Sequence, residues 1–339
     1  MRAFVLRRAL LGLAVVLVVS YGSFVLMATR FSSTCVGQYT PFGLFPPLAG
    51  NVTQATRLYG DWLKGIPSGR SFGALCNGES AGAQVWPAFV HTFVLLGATG
   101  LLVVAFATAF GVLGAVNAGR PADALLRGFS YAAWGVPPFV LALVLQTFVL
   151  WLGNHHGFRA FFPSGWPGSC IDSGGFVYTC EPTGSTPHHL VLVVRHLVAP
   201  TVALSVAFIG LHSRYLRSAL LVALAAPYTT TARAKGLRER AVVLRHALRN
   251  SLATFSSALL LDFGAIFGAA MAVDWVFKLN GLGTLFISEL AGVGAGDTPR
   301  YINPYAVETL LATAALLVVV ASFAAEVAVR AFDPRQRTA

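Results

Sequence analysis

Long apolar runs separated by short polar segments repeat along the whole chain. Six of them, at residues 9–29, 88–116, 129–153, 197–221, 252–277 and 305–329, approach or exceed the roughly 20 apolar residues that a helix needs to cross a bilayer. The pattern predicts an all-α, polytopic membrane protein with six transmembrane helices in one domain over 1–339. The first run is too long for a signal peptide, and no small-x-small cleavage site follows it, so it is expected to remain as an anchor.

Composition narrows the class further. The chain is 56% hydrophobic and only 11% charged over 339 residues, which excludes an ordinary soluble protein of two or three domains. A net charge of +11 would suit a nucleic-acid binder. The cations, however, sit beside the apolar runs, as in the inner loops of membrane proteins. No nucleic-acid partner is expected, and lipid surrounds the chain.

Six spans put both termini on one side. The segments on that side hold Arg2, Arg7, Arg8, Arg120, Arg127, eight cations from Arg214 to Arg249, and Arg330, Arg335 and Arg337, 16 in all. The opposite segments hold 8, namely Arg30, Arg57, Lys64, Arg70, Arg159, Arg195, Lys278 and Arg300. The positive-inside rule therefore predicts cytoplasmic termini. Trp86, Trp151 and Trp275 fall near outer span ends, where amphipathic rings settle.

Two outer segments, about 30–86 and 154–190, are rich in turn residues and show little apolar periodicity. They hold all four cysteines, Cys35, Cys76, Cys170 and Cys180. That partition fits an oxidising outer compartment. Loop membership favours the pairs Cys35–Cys76 and Cys170–Cys180 over the other pairings, with four free thiols as the alternative. His155, His156, His188 and His189 bracket the second segment, but solvated histidines are the plainer account, and no metal site is expected. His196 is read as an interfacial anchor and His91 as a helix-packing residue. Gly264-x-x-x-Gly268 reads as a close helix contact.

The stretch TTTARAKGLRERAVVLRHALRN, residues 229–250, carries six cations against the single acid Glu239. It lies in an inner loop of about 222–250. Pro227 is expected to end or kink the fourth span. Thr229, Thr230 and Thr231 offer capping hydroxyls for a short helix over 231–235. Gly236 supplies a positive-φ stop, and a second helix is predicted over 238–251. A loop needed only for topology would not require this length, this Gly turn or these apolar residues. A docking element for a cytoplasmic partner fits better.

ARAKGL (232–237) followed by RHALRN (245–250) resembles the EAA-type motif of ABC importer permeases, in the version of the peptide-importer branch. The Glu-Ala-Ala positions are here Thr230, Thr231 and Ala232, and Arg249 stands where Pro is usual elsewhere. GAIFGAAMAVDWVFKLNGLGTL (264–285), AFDPRQR (331–337) and the opening span RRALLGLAVVLVVSYGSFVL are similar to that branch as well. The resemblance implies a type I ABC importer permease fold in a bacterial plasma membrane. It implies Ala232, Arg233, Lys235, Gly236, Leu237, Arg245, His246, Arg249 and Asn250 as the coupling elements. It also implies a homologous permease, two ATPase subunits holding ATP and Mg2+, an extracytoplasmic solute-binding protein, and short peptides as cargo. Nickel complexes or glutathione are the alternatives within the branch.

The chain has no G-x-x-x-x-G-K-[ST] loop, so ATP hydrolysis is expected on the partner subunits and no cofactor on this chain. An intramembrane hydrolase would need a nucleophile with a base at the same depth. Ser205, Ser256 and Ser257 are present, but no His is read at comparable depth. A proton-coupled secondary carrier is the other rival. Asp262, Asp274 and Glu308 are the candidate carboxylates of a translocation path, because charge in a span is retained where it faces a cavity or a partner. Glu326 is expected to pair with Arg330 one turn on.

Overall fold

A computed structural model describes residues 2–30, 51–65, 81–156, 165–167, 172–173, 176–177, 186–291 and 304–332. Cys35, Cys76, Cys170 and Cys180, and the side chains of His188, His189, Glu326 and Arg330, lie outside the described residues, and so do the expectations that rest on them.

Helices dominate. They are α1 (Arg2–Arg30), α2 (Val52–Gly65), α3 (Ala81–Val116), α4 (Pro121–Gly135), α5 (Pro138–His156), α6 (Thr186–Leu224), α7 (Pro227–Ala234), α8 (Glu239–Ala241), α9 (Leu248–Leu261), α10 (Phe263–Phe277), α11 (Leu282–Ala291) and α12 (Pro304–Phe332). A π-helical segment, Val242–Ala247, joins α8 to α9. Two antiparallel strands of two residues each, β1 (Asp172–Ser173) and β2 (Phe176–Val177), form a small hairpin.

Among the described residues, three stretches are long and apolar enough to cross a membrane unbroken: Arg7–Thr29, Val85–Val116 and Leu190–Leu224. The third and fifth runs differ from the continuous helices predicted for them. α4 and α5 meet at 91°, across a Gly135-Val136-Pro137-Pro138 step where proline interrupts the hydrogen-bond ladder. The helix Glu239–Leu261 meets α10 at 50°, with Asp262 at the joint.

The chain falls into two compact units. One comprises Met1–Phe93 and Lys278–Phe323, and the other Val94–Phe277 and Ala324–Ala339.

In the first unit, α2 corrects the reading of 30–86 as a turn-rich segment with little apolar periodicity. Asn51 caps it, its Oδ1 accepting the Gln54 amide proton at 2.9 Å. Ala55, Tyr59 and Trp62 then bury one face against Phe24 and Ala28 of α1. Ser20 and Tyr59 hydroxyls share a hydrogen bond of 3.0 Å across that contact. The start of α11 is fixed on α3. The Leu282 amide donates to Thr92 Oγ1 at 2.9 Å, and His91 Nδ1 lies 3.1 Å from the Asn280 carbonyl.

In the second unit α6 is the central helix, packed by α4, α5, α9 and α10. Ala107, Ala115, Leu216, Leu220, Ala223, Ala247 and Phe255 make its buried core. The α4–α6 contact is close enough that a Cβ on Gly210 would lie 2.6 Å from the Ser130 carbonyl oxygen. Beside it, the Ser130 and Ser213 hydroxyls are 2.9 Å apart. At Gly268, the second glycine of the G-x-x-x-G step, a Cβ would meet nothing within 4 Å among the described residues. His196, read as an interfacial anchor, packs inside the second unit. It is buried, and its Nδ1 donates to the Gly165 carbonyl at 2.7 Å.

Candidate functional site

The loop between α6 and α9 is built largely by its own backbone. α6 ends at Leu224, and Pro227 is the first residue of α7, where a missing amide proton is harmless. The three threonines do not cap that helix. Ala226 holds the cap position, and the buried Thr229 hydroxyl turns back to the Ala226 and Leu224 carbonyls at 2.6 and 3.0 Å. The helix is longer at its start than predicted because proline nucleates it earlier.

α7 closes through Gly236, whose φ of +77° is the left-handed value the Gly turn required. The Gly236 amide donates to Arg233 O at 2.9 Å and the Leu237 amide to Ala232 O at 3.3 Å. The predicted second helix is present but not uniform. It changes to π-helix over Val242–Ala247, a form that recurs at functional sites. Val242, Val243 and Ala247 are buried there, as is Ala232 on α7, so these four seat the loop on the second unit.

The remaining motif residues face outward. Lys235, Gly236, Leu237, Arg245, His246, Arg249 and Asn250 are exposed, with Leu237 and Leu244 adding apolar spots at 42% and 43% exposure. The Asn250 amide donates to Tyr228 Oη at 3.2 Å. Arg233 is engaged within the loop: Nε and Nη2 donate to the two oxygens of Glu239 at 3.0 and 2.7 Å, and Nη1 to Leu224 O at 3.2 Å. The guanidinium holds the Glu239 carboxyl below its ordinary range. Lys235, Arg238, Arg240, Arg245 and Arg249 carry no ion pair among the described residues. The result is a cationic surface with apolar spots and its only acid neutralised.

Asp262 and Asp274 belong to the second unit and Glu308 to the first. Asp262 is the C-cap of α9 at φ −82°, ψ 0°, at the bend in the fifth run. Its Oδ2 lies 3.4 Å from Nε2 of the fully buried His212 on α6. This is ion-pair distance without hydrogen-bond alignment, and neither atom has another hydrogen-bond partner. His212 overturns the statement that no His stands at span depth. Its Nδ1 donates to Phe208 O at 2.9 Å, and its ring packs on Tyr215 and Phe255. Ser256 and Ser257 donate back to their own helix, so no nucleophile–base pair forms with it.

Asp274, on α10, is buried to 1% exposure. Glu308 belongs to the first unit and is also fully buried, accepting from Ser23 Oγ at 2.7 Å. Sequence reading missed a further acid. Asp123 of α4 is buried and accepts from Arg217 Nε at 2.7 Å and Nη2 at 2.8 Å. The Gly119 amide reaches its Oδ2 at 3.2 Å.

Residues 107–338 match the family described as binding-protein-dependent transport system inner membrane component. The oligopeptide transport system permease protein AppB of Bacillus subtilis is 25% identical over 99% of both chains. The oligopeptide transport system permease protein OppB of Escherichia coli is 26% identical over 85% of this chain and 87% of its own length. OppB of Mycobacterium tuberculosis is 25% identical over 82% of this chain and 79% of its own. The matched region holds α4 to α12, including the cationic loop, the bent fifth span and the Asp123–Arg217 pair. With its apolar helices and its loop of exposed cations, the chain belongs to the binding-protein-dependent transport system inner membrane components and is a multi-pass permease subunit of an ABC importer.

Proposed function

We propose that this chain forms half of the translocation path for short peptides in an ATP-driven importer. A second, homologous permease supplies the other half. Two ATPase subunits engage the loop at 225–250, and an extracytoplasmic solute-binding protein delivers the cargo. The termini and the cationic loop then face the cytoplasm. ATP and Mg2+ sit on the partner subunits, and this chain performs no chemistry.

The observation that carries the reading is the similarity over 99% of both chains to an oligopeptide transport system permease protein. The loop supports it, since its Gly236 turn and exposed cations present a docking surface that a topological loop does not need.

The test is uptake of labelled short peptides by cells that have or lack the chain. Uptake should require the chain, persist when the proton gradient is collapsed, and stop in proteoliposomes given a non-hydrolysable nucleotide. The His212–Asp262 pair favours a proton-coupled carrier as the second reading. Uptake that follows the gradient and ignores the nucleotide would establish that carrier instead.

A further inference from the structure

The side chain of Arg233 joins three consecutive pieces of the loop. It starts from the last turn of α7. Two of its nitrogens take both oxygens of Glu239, in the first turn of α8, at 3.0 and 2.7 Å. The third donates to the Leu224 carbonyl, at the end of α6, at 3.2 Å. Arginine's planar fork suits this arrangement, since two parallel bonds to a carboxylate leave one nitrogen for a carbonyl. Carbonyls of a last helical turn lack intrahelical partners, and the Leu224 carbonyl takes a second bond here beside that from Thr229 Oγ1 at 3.0 Å.

We infer that Arg233 is a positioning residue of the transport cycle and not a docking cation. It clamps α7 between the end of the fourth span and the helix that leads into the fifth. A displacement of α7 by an ATPase subunit is then passed to both spans together. The inference rests on the proposed reading of the loop as the ATPase-coupling element. Gly236 alone turns the chain but does not hold the two legs at a fixed distance. The five cations without ion pairs, Lys235, Arg238, Arg240, Arg245 and Arg249, remain for contact with the partner.

Glu239 separates positioning from docking. If Arg233 docked, removing Glu239 would free a cation and leave assembly and coupling intact or improved. If Arg233 positions, Glu239→Ala must reproduce the defect of Arg233→Ala. The experiment uses the full complex in nanodiscs and measures peptides moved per ATP hydrolysed, co-purification of the ATPase subunits, and amide exchange over 227–241. Arg233→Ala and Glu239→Ala should each lower the ratio by about fivefold, the scale of one exposed bidentate pair. The double variant should be no worse than either single one. Co-purification should hold, and exchange at Gly236 and Leu237 should quicken in both. Arg233→Lys should not restore the ratio, because an ammonium cannot make the three bonds at once.

A wild-type-like Glu239→Ala, additive losses in the double variant, or loss of ATPase subunits from Arg233→Ala alone would each overturn the inference. Amide exchange is read on the chain itself. It reports the clamp even if the wild-type complex moves no peptide, in which case the proposed function fails and not the clamp.

Discussion

His212 Nε2 and Asp262 Oδ2 stand 3.4 Å apart, the imidazole fully buried and the carboxylate 29% exposed. Two polar groups therefore meet where the fifth span bends, and the carboxylate keeps an open side. An acid at the centre of a span costs about 2.5–3.5 kcal/mol on insertion scales, and those that persist face a cavity or a partner. A peptide arrives with a cationic amino terminus, so we propose that Asp262 holds it in transit. Asp262→Asn keeps the shape and removes the charge. Uptake of peptides with a free amino terminus should fall by about fivefold, one weak charge contact, while uptake of acetylated peptides should change little. An equal fall for both, or loss of the complex, would assign Asp262 to structure alone.

Arg217 and Asp123 form a bidentate ion pair in the second unit, at 2.7 and 2.8 Å. Asp123 is 1% exposed and Arg217 22%, so the acid depends on its partner more than the reverse. Arg217→Ala leaves a buried carboxylate with only the Gly119 amide and the more distant Arg127, at 3.6 Å. The expected loss is about 2–4 kcal/mol of stability, because a buried charge is left unpaired. The Arg217→Leu, Asp123→Leu double variant should be less harmed than Arg217→Ala. Denaturation of the purified chain in detergent measures both. A double variant as unstable as the single one would show that the pair's geometry, not its charge balance, holds α4 to α6.

How much of this was legible follows from what each feature depends on. The three unbroken spans were legible because about 20 apolar residues in a row leave few alternatives. Gly236 was legible because a positive φ at a helix end is a local demand. The bends were not. Pro137 and Pro138 were visible inside an apolar run, but only the packing of α4 and α5 on α6 turns their break into a 91° angle. Asp262 gave no sign of ending a helix, since the group it faces is a histidine on another span. α2 was legible and missed, since Ala55, Leu58, Tyr59 and Trp62 recur at helical spacing behind the capping residue Asn51. Asp123 and Arg217 lie 94 residues apart, and no local pattern joins them.

Gly210 is a steric test of the α4–α6 contact. A methyl group there would sit 2.6 Å from Ser130 O and 3.0 Å from Ala133 Cβ. Backbone cannot yield as a side-chain tip can, so Gly210→Ala should cost about 1–3 kcal/mol by overpacking. It should also separate the Ser130 and Ser213 hydroxyls, now 2.9 Å apart. Gly268→Ala is the control, with nothing within 4 Å among the described residues. Thermal unfolding in detergent should lower the midpoint for Gly210→Ala and leave it unchanged for Gly268→Ala. Equal midpoints would remove the close approach as a source of stability.

Gly236 is the corresponding conformational test, because its surroundings are empty and only its φ of +77° demands glycine. Steric crowding and backbone strain are thus separated at this position. Gly236→Val places a β-branched residue in the left-handed region, at about 1–3 kcal/mol. Gly236→Asn adds a side chain of similar bulk that tolerates this region far better. Were bulk on the loop surface the issue, both variants would fail alike. With the turn itself as the requirement, Gly236→Val should insert and assemble but lose peptide-stimulated ATPase activity, while Gly236→Asn should stay near wild type. The cause is local: relieving the strain would pull the Gly236 and Leu237 amides away from Arg233 O and Ala232 O, now at 2.9 and 3.3 Å. The two legs of the loop would then separate. Stimulated activity and uptake that are normal in Gly236→Val would remove this turn from the coupling path.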